Sequence, residues 1–127
     1  MDTHMTIDAA IQAYFSGFGL AAYPETSVPD DVVFPYLTYN FPLSDWDGGK
    51  ATGTVNLYYY STKNTEINAK KREIFERLGC GGETVDCDNG CVWFTRGTPF
   101  AQTLRDDVSP DIKRIYILID AEYLITL

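Results

Sequence analysis

A chain of 127 residues has the length of one domain and can bury a core without disulfide or metal staples. Its 45% hydrophobic and 22% charged residues are a globular balance, and no apolar run is long enough for a transmembrane helix. A formal net charge of −8, with only ten Lys and Arg, argues against free-standing nucleic-acid binding, which needs a basic face to displace counterions.

Ile7, Ala10, Ile11, Tyr14, Phe15 and Phe18 recur at helical spacing and predict an amphipathic helix, with Thr6 as its cap and Gly17 or Gly19 as its stop. "AAYPETSVPDD" reads as a loop, because Pro24 and Pro29 oppose regular structure. Residues 34–41, "FPYLTYNF", alternate: Leu37, Tyr39 and Phe41 share one face of a strand, and Tyr36, Thr38 and Asn40 the other. "PLSDWDGGKAT" is a polar loop around Trp46. "GTVNLYYYS" follows as a strand, with Val55, Leu57 and Tyr59 on one face and Thr54, Asn56, Tyr58 and Tyr60 on the other.

"KNTEINAKKREIFERLG" is the clearest helix. Ile67, Ile74, Phe75 and Leu78 line one side, Asn64 or Thr65 caps the start, and Gly79 ends it. In "VDCDNGCVWFTRGTPFAQ", Asn89-Gly90 supplies the two positive-φ positions of a type I′ turn between strand-like flanks, so a hairpin is expected. Residues 103–112, "TLRDDVSPDI", read as a polar, mobile loop. The alternating "KRIYILIDAEYLITL" reads as a long, central antiparallel strand. The expected fold class is α+β: one domain over 1–127, an antiparallel or mixed sheet of about four to five strands, and two main helices packed on it, in the order α-β-β-α-β-β(-β).

Candidate chemistry is sparse. Cys80, Cys87 and Cys91 form neither the two close pairs of a structural zinc site nor a redox CxxC, although Cys87 and Cys91 could oppose each other across the turn. Three cysteines cannot complete a disulfide framework. Asp86, Asp88 and Asn89 suggest a calcium loop, but its sixth position is Cys91 instead of Gly and its twelfth is Gly97 instead of Glu. Asp45 and Asp47 flank Trp46 without a local His, Lys or Cys to complete an acid–base mechanism. "GCGG" at 79–82 follows a helix, unlike a phosphate loop, and His4 lies near the chain start. Lys70, Lys71 and Arg72 read as a solvated helix face paired with Glu66, Glu73 and Glu76. "MDTHMTIDAA" lacks the basic start and apolar run of a signal peptide, so the chain is expected to act in the cytoplasm or to leave it by other means. No cofactor or metal is expected.

From Thr6 to Leu127 the order of elements resembles the tail terminator, or tail-completion, proteins of long-tailed bacteriophages and prophages. The resemblance rests on the opening helix and Pro-rich loop, "FPYLTYNFP", "TVNLYYYSTKNTEINAKKREI" running from strand into helix, "CDNGCVWFTRGTPFAQTLRDD", and the closing "IKRIYILIDAEYLI". It implies a non-enzymatic virion protein, forming a ring, usually hexameric, at the head-proximal end of the tail tube. Such a ring ends tube growth and joins tail to head while the genome passes through without specific binding. Implied partners are copies of itself, the major tail tube protein and head connector or neck proteins, with no membrane; the free chain is expected to be monomeric until the tube end triggers assembly. Its expected places are the virion and, during assembly, the host bacterial cytoplasm. Candidate subunit contacts are Trp46, Tyr58, Tyr60 and the 103–112 segment with Arg105, Asp106 and Asp107, because aromatic and Arg anchors dominate interfaces. Three alternatives are another head-completion or neck subunit, a small metal-dependent hydrolase using Asp45, Asp47, Asp86 and Asp88, and a module whose aromatic face captures a peptide or sugar.

Overall fold

The computed structural model describes residues 6–42, 49–88, 90–105 and 108–125. Within them the chain runs α1 (Ile7–Ser16), β1 (Ala21–Pro24), β2 (Tyr36–Asn40), β3 (Gly49–Tyr60), α2 (Thr65–Leu78), β4 (Glu83–Cys87), β5 (Gly90–Arg105) and β6 (Ile112–Ile125). The strands form a six-stranded sheet in the order β1-β2-β3-β6-β5-β4. Its β1–β2 pair is parallel and every other neighbouring pair is antiparallel. The sheet is therefore mixed, with more strands than the four to five expected, and the element order is α-β-β-β-α-β-β-β instead of α-β-β-α-β-β(-β), because a strand precedes Tyr36–Asn40.

Both helices pack on one face. Thr6 caps α1 by accepting a hydrogen bond from the Ala9 amide at 3.2 Å. Gly79 follows α2 with a φ of 59°, a left-handed value that favours glycine. Helix α1 touches β1 and β4, the two opposite edges, so the sheet curls around it. Phe15 sits at the centre of the curl. It is fully buried, and its ring centroid lies 5.9 Å from Tyr39, 5.4 Å from Phe41 and 5.6 Å from Phe94, joining rings from distant strands. The predicted alternations supply the rest of the core: Leu37 and Tyr39, Val55, Leu57 and Tyr59, and Ile115, Ile117, Ile119, Ala121 and Tyr123 are all buried.

Close approaches require glycine at positions that include 53 and 97. A Cβ on Gly53 would lie 2.0 Å from the Phe41 ring, and one on Gly97 would lie 2.6 Å from the Leu118 carbonyl oxygen. Gly97 stands in the bulge of β5, where the register with β6 breaks between Arg96 and Ala101.

Several expectations need correction. Residues 21–24 are strand: β2 supplies ladder partners, and Pro24, at the end of an edge strand, tolerates its missing N–H. Strand β3 begins four residues early, because Gly49–Thr52 pair with Asp120–Tyr123 of β6. Thr103, Leu104 and Arg105 extend β5 against Ile115, Arg114 and Lys113, so this part of the expected loop is strand; Asp106 and Asp107 lie outside the described residues. The hairpin forms, but Gly90 pairs with Cys87, so it is a strand residue instead of a turn position. Cys91 consequently faces Asp86, so the two cysteines are not a directly opposed pair. Phe75, expected in the core, is 38% exposed.

Candidate functional site

The face of the sheet turned away from the helices carries an aromatic cluster. On β2 and β3, Tyr36 and Tyr58 are paired in register and stack with centroids 4.7 Å apart and planes 14° apart. Tyr23 of β1 meets Tyr36 edge-on at 6.2 Å. Phe34 bridges Tyr36, at 5.3 Å, and Tyr60, at 5.9 Å. Arg114 of β6 pins the cluster from the next strand. Its Nε donates to Asn56 Oδ1 at 3.0 Å, and its guanidinium lies 5.5 Å from the Tyr58 ring centroid. Under this cover Thr38 and Asn56 are buried although they point away from the core. Tyr60 at the rim is 63% exposed.

Further along the same face, Lys50, Thr52, Trp93, Thr95, Asp120 and Glu122 line a concavity of about 420 Å³. Its polar groups are largely matched. Thr52 Oγ1 donates to Asp120 Oδ1 at 3.0 Å, Lys50 stands 3.7 Å from Glu122, and the Trp93 indole N–H donates to the Gly81 carbonyl at 2.8 Å.

On the helix side, Phe75 and Phe100 meet edge-on at 5.1 Å in an open groove of about 460 Å³, with Lys71, Arg72 and Glu76 on its walls. Arg96 holds Phe75 outward. Its Nε and Nη2 donate to the Phe75 carbonyl at 3.0 and 2.8 Å, and its guanidinium lies 3.4 Å from the ring centroid. This clamp is why Phe75 leaves the core side of α2.

A further cluster ties α1, α2 and β4 together. The Tyr14 hydroxyl donates to Glu83 Oε1 at 2.5 Å, and Arg77 Nε donates to the same oxygen at 3.1 Å. Burial first, and then the Glu83 hydrogen bond and charge, push the Tyr14 hydroxyl well above the ordinary tyrosine range, so it remains a proton donor. The Arg77 guanidinium also lies over the Tyr14 and Phe18 rings. Every member is partnered within the chain, which makes this cluster a clasp between elements.

Among the residues expected at a subunit contact, Tyr58, Tyr60 and Arg105 come to one end of the sheet. The register runs Tyr58–Arg114–Leu104 and Tyr59–Lys113–Arg105, so Arg105 shares that end but takes the opposite face from Tyr58. Trp46, Asp106 and Asp107 lie outside the described residues, as do Asp45 and Asp47 of the hydrolase alternative. Asp86 is exposed on β4, and Asp88 stands in the turn. Among the described residues no three His, Cys, Asp or Glu side chains gather as a metal site would require, and no helix is long and apolar enough to cross a membrane. Burial, with the nearby Cys91 and the Asp88 and Asp86 carboxylates, raises the Cys87 thiol above its usual range, away from a reactive thiolate. Sequence reasoning passed over Tyr36, Phe34 and Arg114 as members of the aromatic surface. The alternation of β2 placed Tyr36 on that face, but only strand pairing shows that it stacks on Tyr58.

The chain matches no protein-family profile and no curated protein. Its fold is similar to that of a chain in the virion of a native gene transfer agent (GTA) particle, with a TM-score of 0.56 and 18% sequence identity over 93% of this chain and 94% of that one.

Proposed function

We propose that this protein is a structural component of a phage-like virion and, within it, the tail terminator. It would form a ring on the head-proximal end of the tail tube, stop tube growth and join the tail to the head. The observation that carries the reading is the likeness of fold to a virion-particle chain along almost the whole of both chains. The terminator assignment adds the order of elements that resembles that family.

Physical scale agrees with a ring. A protomer of 127 residues has a radius of gyration of roughly 14 Å, and six such bodies in a closed head-to-tail ring leave a central hole comparable to one subunit. With a net charge of −8, the lumen repels the phosphates of passing DNA, which then slides without specific binding. The chain works through surfaces, with copies of itself, the tube protein and the head connector as partners and no chemistry of its own. Tyr58 and Tyr60 supply the aromatic contact and Arg105 a polar one at the same end of the sheet; Trp46, Asp106 and Asp107 are the further candidate contacts.

Disrupting the gene in a producing particle and imaging the products tests this. Headless tubes of uncontrolled length are the expected result. Tails of normal length lying beside full heads would instead assign the chain to another neck or completion subunit. Intact, infective particles would overturn a virion role. In solution, light scattering of the purified chain with and without isolated tail tubes reads ring formation directly.

A further inference from the structure

The groove beside α2 reverses the character of the molecule. In a chain of net charge −8, Lys71 and Arg72 line it, Arg96 is clamped over Phe75, and Glu76 is the opposing charge on its wall. Its floor is aromatic, with Phe75 38% exposed beside Phe100. Cations around exposed rings select an occupant that is both anionic and aromatic.

Asp120–Tyr123 has that composition but its Tyr123 is buried in the core, whereas a second short segment shares it. In residues 43–48, Leu-Ser-Asp-Trp-Asp-Gly, Trp46 stands between Asp45 and Asp47 in sequence. Covalent reach forbids this segment from filling its own groove. Gly49 opens β3, whereas Phe100 precedes Ala101, which aligns through Ile117 with Val55, six residues further along. That offset is about 20 Å along the strand, with two more strand spacings across. The Trp46 Cα, three residues from Gly49, stays within about 11 Å of it. The shortfall exceeds the length of an indole side chain, and a second copy is under no such limit.

We infer that residues 43–48 of one copy dock into the Phe75–Phe100 groove of the next, with Trp46 against the rings and Asp45 and Asp47 against Lys71 and Arg72. This deepens the ring reading and rests on it. Loop and groove are different surfaces, so the contact is head-to-tail and propagates until the ring closes.

A charge exchange on the full chain, with isolated tail tubes as seeds and light scattering as the readout, tests the contact. Trp46→Ala is expected to weaken assembly at least about tenfold, as loss of a buried aromatic anchor does. A chain with Lys71→Glu and Arg72→Glu, and a chain with Asp45→Lys and Asp47→Lys, are each expected to fail alone. Mixed together they are expected to assemble, because every loop then meets a groove of opposite sign only in the other chain. Thermal unfolding of each variant confirms that it is folded. Assembly of all three variants at the parent's level overturns the contact while leaving the ring reading intact. Loss in the groove variant alone, with both loop variants unaffected, also overturns it and assigns the groove to a different virion protein. Failure of the parent chain to assemble on tubes sinks the ring reading and this contact together.

Discussion

The two faces of the curled sheet hold the same kind of residue in opposite ways. Towards the helices, Phe15 is sealed among Tyr39, Phe41 and Phe94. Away from them, Tyr23, Phe34, Tyr36, Tyr58 and Tyr60 form a connected layer that ends in an exposed rim at Tyr60. The inner cluster is rich in Phe, and the outer one is mostly Tyr. A hydroxyl at the ring tip keeps a half-buried aromatic surface soluble until something covers it. The inner cluster lies sealed in the core, whereas the outer one covers Thr38 and Asn56 and leaves Tyr60 open to solvent.

Mutation separates the two roles. Phe15→Ala removes the ring on which the curl closes and is expected to lower stability by about 3–5 kcal/mol in urea unfolding. A drop below about 1 kcal/mol would show that the curl does not depend on it. Next in size is Gly97→Ala, where the new Cβ meets the backbone of β6 and not a side chain free to swing away. A loss of about 1–3 kcal/mol is expected, with the bulge as its cause. Tyr58→Ala breaks the cross-strand stack and the Arg114 contact, for about 1 kcal/mol by the same measurement. Tyr60→Ala should change stability by less than about 0.5 kcal/mol while reducing assembly on tail tubes. If assembly is unchanged, the outer cluster is only a lid over Thr38 and Asn56.

A pH-dependent effect concerns Tyr123, a buried tyrosine whose hydroxyl finds no hydrogen-bond partner among the described residues. Burial, with a lesser push from Asp8, raises its pKa to about 12 from 10.0. The folded state therefore keeps this proton while the unfolded state loses it. Its contribution is present in full below pH 10 and is lost as the pH rises towards 12. Tyr123→Phe should be neutral or stabilising by up to about 1 kcal/mol at pH 7, since it removes an unpaired buried hydroxyl. It should also flatten the decline in urea midpoint above pH 10. A midpoint that falls as steeply in the variant would place the alkaline loss at Tyr14, Tyr39 or Tyr59, whose pKa values are also raised.

Much of the core was legible because periodicity reports burial directly. The helical spacing of Ala10, Ile11, Phe15 and Phe18 and the twofold alternation of Val55, Leu57 and Tyr59 each marked a buried face. The misses share a cause. Ala21–Pro24, Gly49–Thr52 and Thr103–Arg105 carry weak local signals, and each is strand because a neighbour supplies its ladder hydrogen bonds. Phe75 obeys the helical period yet turns outward, because Arg96, more than twenty residues later, clamps its carbonyl and its ring. Of the candidate contacts, Tyr58 and Tyr60 were readable as one strand face, whereas their meeting with Arg114 required the sheet.

The amino-acid order alone determined where the two helices and the strongly alternating strands lie, which of their faces is apolar, and that the molecule is acidic. Each of these is set by neighbours within a few residues. The central place of the last strand was already legible in its unbroken alternation, but only the tertiary structure decided that it lies between β3 and β5, that the sheet curls until both edges touch α1, and that a basic aromatic groove opens beside α2. Those features arise from pairings between residues far apart in the chain, whose hydrogen bonds and ring contacts leave no periodic trace in either segment alone.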